Sequence, residues 1–312
     1  MSSHQPSRLQ AALWKMQDGF YNAAIKMERS RAGLQLEQIS VGNINFSLLR
    51  GGKPGAETIL MVHGFGADKD NWIHLAGQLG DQYQILAVDL AGHGESSQES
   101  DNQGNPLNFE IPAQADRIKA LLDQLGIAKV HFIGNSMGGA IGLQFAASHQ
   151  DALHTLMLVD NAGIESPVQS EFFQLLEKGE NPLIAREKGD YEVLMSFVMS
   201  KRPFMPWPVP AVLERKAIAR AALNDTIFAD MLKSRDEMGN PEQIEAILAA
   251  ITVPSLVIWG EEDRVLDISS IEVMAKYMPN LKSVTLPGIG HVPMLEAPKK
   301  VATAFRQFAG SV

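Results

Sequence analysis

The sequence predicts an α/β fold with a mostly parallel central β-sheet that helices cover on both faces. From residue 34 onward, short apolar segments typical of buried strands alternate with helical segments. The alternation is interrupted once, between about residues 164 and 243, by a helix-prone stretch. A chain of 312 residues, 45% of them hydrophobic, can bury a large core. We therefore expect one elaborated domain that carries a helical insertion.

The N-terminal segment, residues 7–30, predicts an amphipathic helix that precedes the alternation. Its apolar residues recur at steps of three and four and share one face: Leu9, Leu13, Met16, Phe20, Ala23 and Met27. Its basic residues outnumber its acidic ones, although the whole chain has a net charge of −9. Two interpretations fit this pattern. The apolar face docks on the protein body, or the helix makes a peripheral contact with a membrane surface.

The first part of the alternation contains six predicted strands. "LEQISV" and "INFSLLR" predict a hairpin that turns at Gly42 and Asn43. "TILMVHG" and "QILAVDLAG" predict buried strands on either side of a helix around "NWIHLAGQL". "AQADRIKALLDQLG" predicts an amphipathic helix that Gly126 closes. The strand "VHFIGNS" follows with its helix, and the strand "LHTLMLVDNAG" comes next.

The second part of the alternation follows the helix-prone stretch. "PSLVIWGEED" and "KSVTLPG" predict strands, and "ISSIEVMAKYM" and "PKKVATAFRQFA" predict helices. The helix-prone stretch itself contains "SEFFQLLEKG", "YEVLMSFVMS" and "AVLERKAIARAAL", with a proline-rich break at "KRPFMPWPVP". Open α/β sheets bind ligands at the carboxyl ends of their strands, where we expect this insertion to lie. The predicted organisation is an N-terminal helix over 1–33, a core over 34–163 and 241–312, and a helical cap over 164–240.

Composition excludes several classes of function. The acidic charge is spread along the chain without a basic stripe, so we expect no nucleic-acid partner. The absence of cysteine excludes disulfides, thiolate metal sites and a cysteine nucleophile. No apolar run is long enough to predict a transmembrane helix. The start "MSSHQPSRLQ" lacks the pattern of a signal peptide.

The segment "GNSMGG" places Ser136 between Gly134 and Gly138, where a predicted strand becomes a helix. This fits the pattern G-x-S-x-G in the strand–turn–helix setting of a nucleophile. Glycines allow a sharp turn that exposes the serine hydroxyl. They would equally allow a strand and a helix to pack closely without any chemistry. A nucleophilic Ser136 is the interpretation that the setting favours.

A serine hydroxyl needs a base, and eight histidines are available. His291 lies in "LPGIGHVPMLEAP", a loop that follows the last predicted strand and can reach the serine. His63 and His93 lie in loops on the same side, but they precede the serine, and we expect them to organise loop backbones by hydrogen bonding. The other five histidines are predicted to be structural or exposed. His291 is therefore the candidate base.

The imidazole of such a base needs a carboxylate to fix its tautomer. Asp263 follows the strand immediately before the histidine-bearing loop, which gives the chain order Ser, Asp, His. Asp160, at the end of "LMLVD", is the alternative. Three further acids lie near Asp263, namely Glu261, Glu262 and Asp267. Any of these carboxylates could instead cap a helix or form a surface ion pair.

Acyl transfer also needs two donors that stabilise an oxyanion. The backbone N–H of Met137, directly after the serine, is the first candidate. The second comes from "HGFGADKDNW", where Gly64 and Gly66 allow the chain to turn and the N–H of Phe65 to point inward. The alternative is that "HGFG" is only a tight turn. The four parts, which are the oxyanion loop, the serine, the carboxylate and the histidine, follow one another along the chain in this order. Their order favours a hydrolytic site without metal or organic cofactor.

Five motifs together resemble the α/β-hydrolase superfamily: "HGFGADKDNW", "DLAGHGESS", "GNSMGG", "WGEEDRVL" and "GIGHVPMLEAP". The set is most similar to the bacterial family V lipases and esterases, and to the monoacylglycerol-hydrolysing domain-6 type. The resemblance implies a Ser136–Asp263–His291 triad, an oxyanion hole from Phe65 and Met137, and a helical cap. It implies a small-molecule ester or acylglycerol as substrate. Because the sequence has neither a signal-peptide pattern nor a transmembrane run, we expect a bacterial protein that is cytoplasmic or peripherally attached to a membrane.

Two other functions remain open at the level of sequence. C–C bond hydrolases of ring-cleavage pathways also carry "GNSMGG", and they need cationic groups to hold a dienoate. The cap offers five such groups: Arg186, Lys201, Arg202, Arg215 and Arg220. Against this, "FFQLL", "VLMSFVM" and "FMPWPVP" offer apolar surface suited to an acyl chain, or simply a core for the cap. The second alternative is a protein of this fold that binds a small molecule without turnover.

Overall fold

A computed structural model describes residues 7–237 and 241–312. Within them eight strands form one sheet in the spatial order β1-β2-β4-β3-β5-β6-β7-β8. The strands are β1 (Leu34–Val41), β2 (Ile44–Gly52), β3 (Thr58–Val62), β4 (Gln84–Val88), β5 (Val130–Asn135), β6 (Leu153–Val159), β7 (Ser255–Gly260) and β8 (Leu281–Leu286). Strands β3 to β8 are parallel, and β1 and β2 run antiparallel at one edge. The predicted fold class is confirmed.

Twelve α-helices are present in the described residues. They are α1 (Arg8–Arg31), α2 (Ile73–Leu79), α3 (Ile111–Gln124), α4 (Met137–His149), α5 (Glu171–Glu177), α6 (Asp190–Val198), α7 (Val209–Ala219), α8 (Ala221–Glu237), α9 (Pro241–Ala250), α10 (Ser270–Tyr277), α11 (Pro293–Glu296) and α12 (Pro298–Ala309). Helices α5 to α9 all lie between β6 and β7. No helix among residues 7–237 and 241–312 combines the length and the apolar character needed to cross a bilayer.

The sheet is buried on both faces because its strands alternate their side chains between two cores. Leu60 and Val62 of β3 belong to the core under α3 and α4. Ile59 and Met61 belong to the opposite core, where Phe305 of α12 packs. Each such side chain contributes about 1.5–3 kcal/mol on burial. The parallel strands are thereby held in one register, with their carboxyl ends at a common edge.

The antiparallel edge follows the predicted hairpin. Val41 pairs with Ile44, so Gly42 and Asn43 form a two-residue turn. Gly42 has a φ of 57°, the left-handed conformation that such turns require. The hairpin prediction is confirmed.

The orientation of α1 overturns one of the two interpretations of residues 7–30. The apolar stripe points to solvent: Leu9 is 83% exposed, and Leu13, Met16, Phe20 and Met27 are also exposed. The helix docks instead through a different face that includes the buried Gln17 and Tyr21. Docking of α1 on the body through its apolar face is therefore wrong.

Polar contacts explain how α1 docks through this other face. Arg29 makes a two-pronged ion pair with Asp70, at 2.7 and 2.6 Å. Arg215 of α7 donates to Gln17 at 2.7 Å and to Asp18 at 2.6 Å. These partners come from distant parts of the chain, so the pattern of α1 alone could not reveal them.

Two parts of the sequence predictions fall outside the described residues. Residues 1–6 contain most of the start that lacks a signal-peptide pattern, together with His4. Residues 238–240 contain the end of the predicted cap.

Candidate active site

Ser136 lies in a sharp turn between β5 and α4. Its φ of 54° and ψ of −118° are unusual for a residue with a side chain, and such strain is common at functional sites. The turn is held by its backbone, because Ser136 N–H donates to Val159 at 3.1 Å and its carbonyl accepts from Ala162 at 3.0 Å. Ser136 itself stays partly exposed. This is the conformation expected of a nucleophile elbow.

The glycines around Ser136 permit very close backbone contacts. A Cβ atom on Gly134 would lie 2.2 Å from the carbonyl oxygen of Gly138. A Cβ atom on Gly138 would lie 2.2 Å from the carbonyl oxygen of Val62 in β3. Both positions thus exclude any larger residue. The glycines allow both the close packing of strand and helix and the strained turn at Ser136. The two interpretations of "GNSMGG" are therefore compatible.

His291 and Asp263 meet at the carboxyl ends of β7 and β8. Nδ1 of His291 lies 2.8 Å from Oδ2 of Asp263. The other oxygen, Oδ1, accepts the N–H groups of Val265 at 2.8 Å and Leu266 at 3.1 Å. Both side chains are buried, which shields the pair from water. The contact with Asp263 favours a proton on Nδ1, and Nε2 is then the nitrogen with a free lone pair.

Asn135 connects the histidine loop to the serine turn, a role that the sequence reasoning missed. Its Nδ2 donates to the carbonyl of Val159 and to the carbonyl of His291, both at 3.0 Å. The His291 N–H donates to Val198 at the end of α6, at 2.9 Å. The residue directly before Ser136 therefore holds the backbone of His291. Its position inside "GNSMGG" was the available signal.

The remaining candidate acids have different surroundings. Asp267 accepts the N–H of Ser269, Glu261 accepts the hydroxyl of Thr285, and Glu262 is exposed. Asp160, in contrast, reaches the site. Atoms of Asp160, Asp263 and His291 all lie within 4.8 Å of one another. Burial, with the neighbouring Asp263 second, raises the pKa of Asp160 well above its ordinary range.

The loop after β3 passes directly over Ser136. A Cβ atom on Gly64 would lie 3.0 Å from the Cβ of Ser136, and Gly66 turns with a φ of 69°. Phe65 between them packs against Phe228 of α8, with ring centroids 5.6 Å apart and the rings tilted by 58°. Met137 is the first residue of α4, so its N–H has no partner within the helix. The loop and the helix start therefore flank the serine, as an oxyanion hole requires.

His63 organises the backbone of this loop, as the sequence predicts. Leu90 N–H donates to Nε2 of His63 at 3.1 Å, so Nδ1 carries the proton and donates to the Gly64 carbonyl at 2.8 Å. Burial lowers the pKa of His63, which favours this neutral form. His93 likewise contacts the Ala91 carbonyl, at 3.3 Å. Both ring nitrogens of His63 are therefore engaged by backbone groups.

Comparison with known proteins agrees with this architecture. The family model described as the alpha/beta hydrolase fold matches residues 57–298. The chain belongs to the α/β-hydrolase family. Lipase 1 of Psychrobacter immobilis is 30% identical to it over 286 residues, which is 91% of this chain and 87% of the relative. The monoacylglycerol lipase abhd6-B of Xenopus laevis is 30% identical over 294 residues, with 91% and 85% covered.

A solved structure is also similar to this α/β hydrolase over nearly its whole length. The crystal structure of a membrane phospholipase A, described as a bacterial virulence factor, matches with a TM-score of 0.89 and 36% identity. The match covers 96% of this chain and 94% of that one. The resemblance suggested by the motifs is confirmed. The chain is an ester hydrolase of the lipase and esterase type.

Proposed function

We propose that this α/β hydrolase cleaves carboxylic esters through a Ser136–His291–Asp263 triad. The observation that carries the proposal is the 2.8 Å contact between His291 Nδ1 and Asp263 Oδ2, and the proposed nucleophile Ser136 lies in a strained turn. Asn135 supports it, because its side chain ties the backbone of His291 to the serine turn. No metal or organic cofactor is needed for this chemistry.

The mechanism consists of two acyl-transfer steps. Ser136 Oγ attacks the ester carbonyl while His291 Nε2 takes its proton, and the N–H groups of Phe65 and Met137 donate to the oxyanion. The protonated His291 then gives its proton to the departing alcohol. Water activated by the same imidazole attacks the acyl-enzyme and releases the acid. Asp263 holds the imidazole in one tautomer and stabilises its charged form throughout.

The preferred substrates in this proposal are acylglycerols or medium-chain acyl esters. The relatives named above are lipases of this kind by name. Helices α5 to α8 form most of the proposed cap over residues 164–240. An apolar cluster joins this cap to the core, with four buried members from the cap and one, Val265, from the loop after β7; the four are Phe172, Ile184, Phe197 and Phe228. Phe65 of the proposed oxyanion loop packs against the cluster. An acyl chain that leaves the serine toward the cap would thus approach Phe65 and an apolar part of the cap.

Ion pairing in the cap disfavours the alternative of a C–C bond hydrolase. Four of the five cationic side chains that could hold a dienoate already bind protein groups. The partners are Asp225 for Arg186, Glu192 for Arg202, Asp18 and Gln17 for Arg215, and Gln98 with the Gly92 carbonyl for Arg220. Redirecting one of them to a substrate would break an existing pair.

A peripheral contact with lipid is the second part of the proposal. The outward stripe of α1 (Leu9, Leu13, Met16, Phe20 and Met27) is an exposed apolar surface on a helix with several basic side chains. Phe204 and Trp207, in the loop before α7, are 91% and 66% exposed. These aromatic residues therefore do not belong to the core of the cap. An apolar stripe with flanking basic residues is the pattern of a helix that lies in a membrane interface.

The decisive experiment is a rate profile on p-nitrophenyl esters from acetate to palmitate, together with a monoacylglycerol. Ser136→Ala serves as the blank. Fast cleavage that Ser136→Ala lacks supports the proposal, and the chain length at the maximum reports the reach of the acyl site. Cleavage that survives in Ser136→Ala contradicts the triad. A folded protein inert to every ester and to serine-directed phosphonates would instead favour ligand binding without turnover.

A further inference from the structure

Two buried carboxyl groups meet at one imidazole in this protein, and the proposed mechanism uses only one of them. Asp160 follows β6 and Asp263 follows β7, and these strands are neighbours in the sheet. Their side-chain oxygens and a ring nitrogen of His291 lie within 4.8 Å of one another. Two carboxylates that are buried side by side cannot both carry a charge at little cost. A proton on one of the two relieves this cost.

The hydrogen-bond donors decide which carboxyl group is neutral. Asp263 accepts three N–H groups, from Val265, Leu266 and the imidazole of His291. Asp160 accepts one, from the backbone of Gly260 at 2.8 Å, and this donor reaches only Oδ1. Donors stabilise the charged form of a carboxyl group. The negative charge thus belongs to Asp263.

The second oxygen of Asp160 has no protein donor within hydrogen-bond distance among the described residues. Oδ2 is buried and accepts no N–H or O–H group in the described part of the chain. The charged groups that act on it are Asp263 and Glu296, both acidic, besides the imidazole of His291. A proton on Oδ2 would turn this oxygen into a donor toward Asp263. That satisfies an otherwise unpaired buried atom.

The backbone holds Asp160 in this position. Its φ of 44° is rare for a residue other than glycine, although aspartate tolerates this region better than most residues. The Asp160 N–H donates to Ile258 of β7 at 3.0 Å. Asp160 is therefore held against β7, the strand that leads to Asp263, by one backbone contact and by the side-chain contact with Gly260.

We propose that Asp160 is a positioning residue whose neutral carboxyl group donates a hydrogen bond to the Asp263 carboxylate. This inference rests on the proposed function, since it assigns Asp263 to the triad. The hydrogen bond orients Asp263 toward His291 and stabilises its charge. Burial and the charge of Asp263 raise the pKa of Asp160, which agrees with the neutral form. Asp160 itself does not touch the substrate.

Two substitutions separate this role from a structural one. In Asp160→Asn the amide nitrogen can still donate to Asp263 and the amide oxygen can still accept from Gly260. We expect kcat/KM and its pH profile to stay close to wild type. In Asp160→Ala the donor is lost, so we expect kcat to fall on the order of tenfold. We also expect the low-pH side of the kcat/KM profile to move up by about one pH unit. Active sites are counted by phosphonate titration in each variant.

Infrared spectroscopy gives a readout that needs no turnover. The difference spectrum of wild type minus Asp160→Asn at neutral pH should contain the C=O stretch of a protonated carboxylic acid. The subtraction cancels other buried acids, and Asp263→Asn should shift this band because the acceptor changes. The band can be measured even if Asp160→Ala does not fold.

Three outcomes would overturn the inference. The first is the absence of the band from the difference spectrum. The second is a pH profile of kcat/KM that Asp160→Ala leaves unchanged on its acid side, and the third is an equal shift of that profile in Asp160→Asn and Asp160→Ala. A failure of the proposed function is a separate result. It is seen as turnover that persists in Ser136→Ala, whatever the infrared spectrum contains.

Discussion

His291 and Asp263 face each other across 2.8 Å at the carboxyl ends of adjacent parallel strands, with their side chains only 6% and 1% exposed. When the imidazole of His291 takes up a proton, it forms an ion pair with Asp263. This pair is strong in a buried site, because little solvent competes for either charge. The rest of the site is arranged around this contact. Asn135 holds the His291 backbone, and two backbone N–H groups hold Asp263.

The first prediction concerns this contact. In Asp263→Asn the amide can present its N–H groups to Nδ1 and so stabilise the wrong tautomer of His291. We expect kcat to fall by about 10³–10⁴-fold with little change in the thermal unfolding midpoint. Steady-state kinetics on a soluble p-nitrophenyl ester measures this. Asp267→Asn, four residues along the same loop, is the matched control and should keep full activity. Comparable losses in both variants would contradict the assignment.

The second prediction concerns the loop over the serine. A Cβ atom at Gly64 would come within 3.0 Å of the Ser136 Cβ and 3.3 Å of the Asn135 carbonyl, so the loop in Gly64→Ala must shift. We expect kcat to fall on the order of 10²-fold because the N–H of Phe65 leaves its place at the oxyanion. KM should change less. The control is Gly19→Ala, since a Cβ at Gly19 meets nothing within 4 Å. Normal kcat in Gly64→Ala would argue against the oxyanion hole.

The sequence predicts the sheet and the location of the site because both depend on local patterns. Buried strands are short apolar runs, and glycine positions such as Gly42 and Gly138 record turns and close contacts that no other residue allows. The carboxyl ends of parallel strands share one edge, so residues that follow strands are expected to meet. That reasoning assigns Ser136, Asp263 and His291 to one site without coordinates.

The same reasoning could not resolve features that depend on tertiary partners. Asp160 and Asp263 both follow strands, and only the adjacency of β6 and β7 brings both to His291. Periodicity identifies the apolar stripe of α1, but it does not show whether the stripe faces the protein or the solvent. The face through which α1 docks is determined by contacts with Asp70 and Arg215, which are distant in sequence. Asn135 lies inside "GNSMGG", but its role depends on two acceptors, Val159 and His291, that are distant in sequence.

The third prediction concerns the outward stripe of α1. Leu13→Gln, Met16→Gln and Phe20→Gln together remove exposed apolar surface without touching the docking contacts of Gln17 and Arg29. Each change costs on the order of 1 kcal/mol of transfer into lipid. Binding to anionic vesicles should therefore weaken on the order of a hundredfold, as measured by sedimentation. Hydrolysis of a soluble ester should not change.

A matched variant controls for the general loss of surface hydrophobicity. Leu36→Gln, Val168→Gln and Val312→Gln also replace three exposed apolar residues, but these lie outside α1. We expect wild-type vesicle binding from this variant. If both triple variants bind vesicles as wild type does, α1 is not the lipid contact.

The last prediction concerns the acid stability of the loops beside the site. Burial, with His63 second, lowers the pKa of His93 well below its ordinary value of 6.5, and burial also lowers the pKa of His63. Below about pH 6.5 the unfolded chain takes up protons that the folded chain excludes, so the free energy of unfolding must decrease as the pH falls. The slope is at most about 1.4 kcal/mol per pH unit for each histidine. Above that pH these groups contribute no pH dependence.

Urea unfolding between about pH 7 and about pH 5 measures this slope. His93→Asn keeps a polar group near the Ala91 carbonyl but cannot titrate, so the decrease in unfolding free energy should become shallower than in wild type. The absolute stability is expected to be lower as well, because the smaller side chain leaves a cavity, and only the slope is diagnostic. His74→Asn, at an exposed position of α2, is the control and should reproduce the wild-type slope. Equal slopes in wild type and His93→Asn would mean that another buried group dominates the acid response, and His63, whose ring lies 5.0 Å from that of His93, would be the next position to substitute.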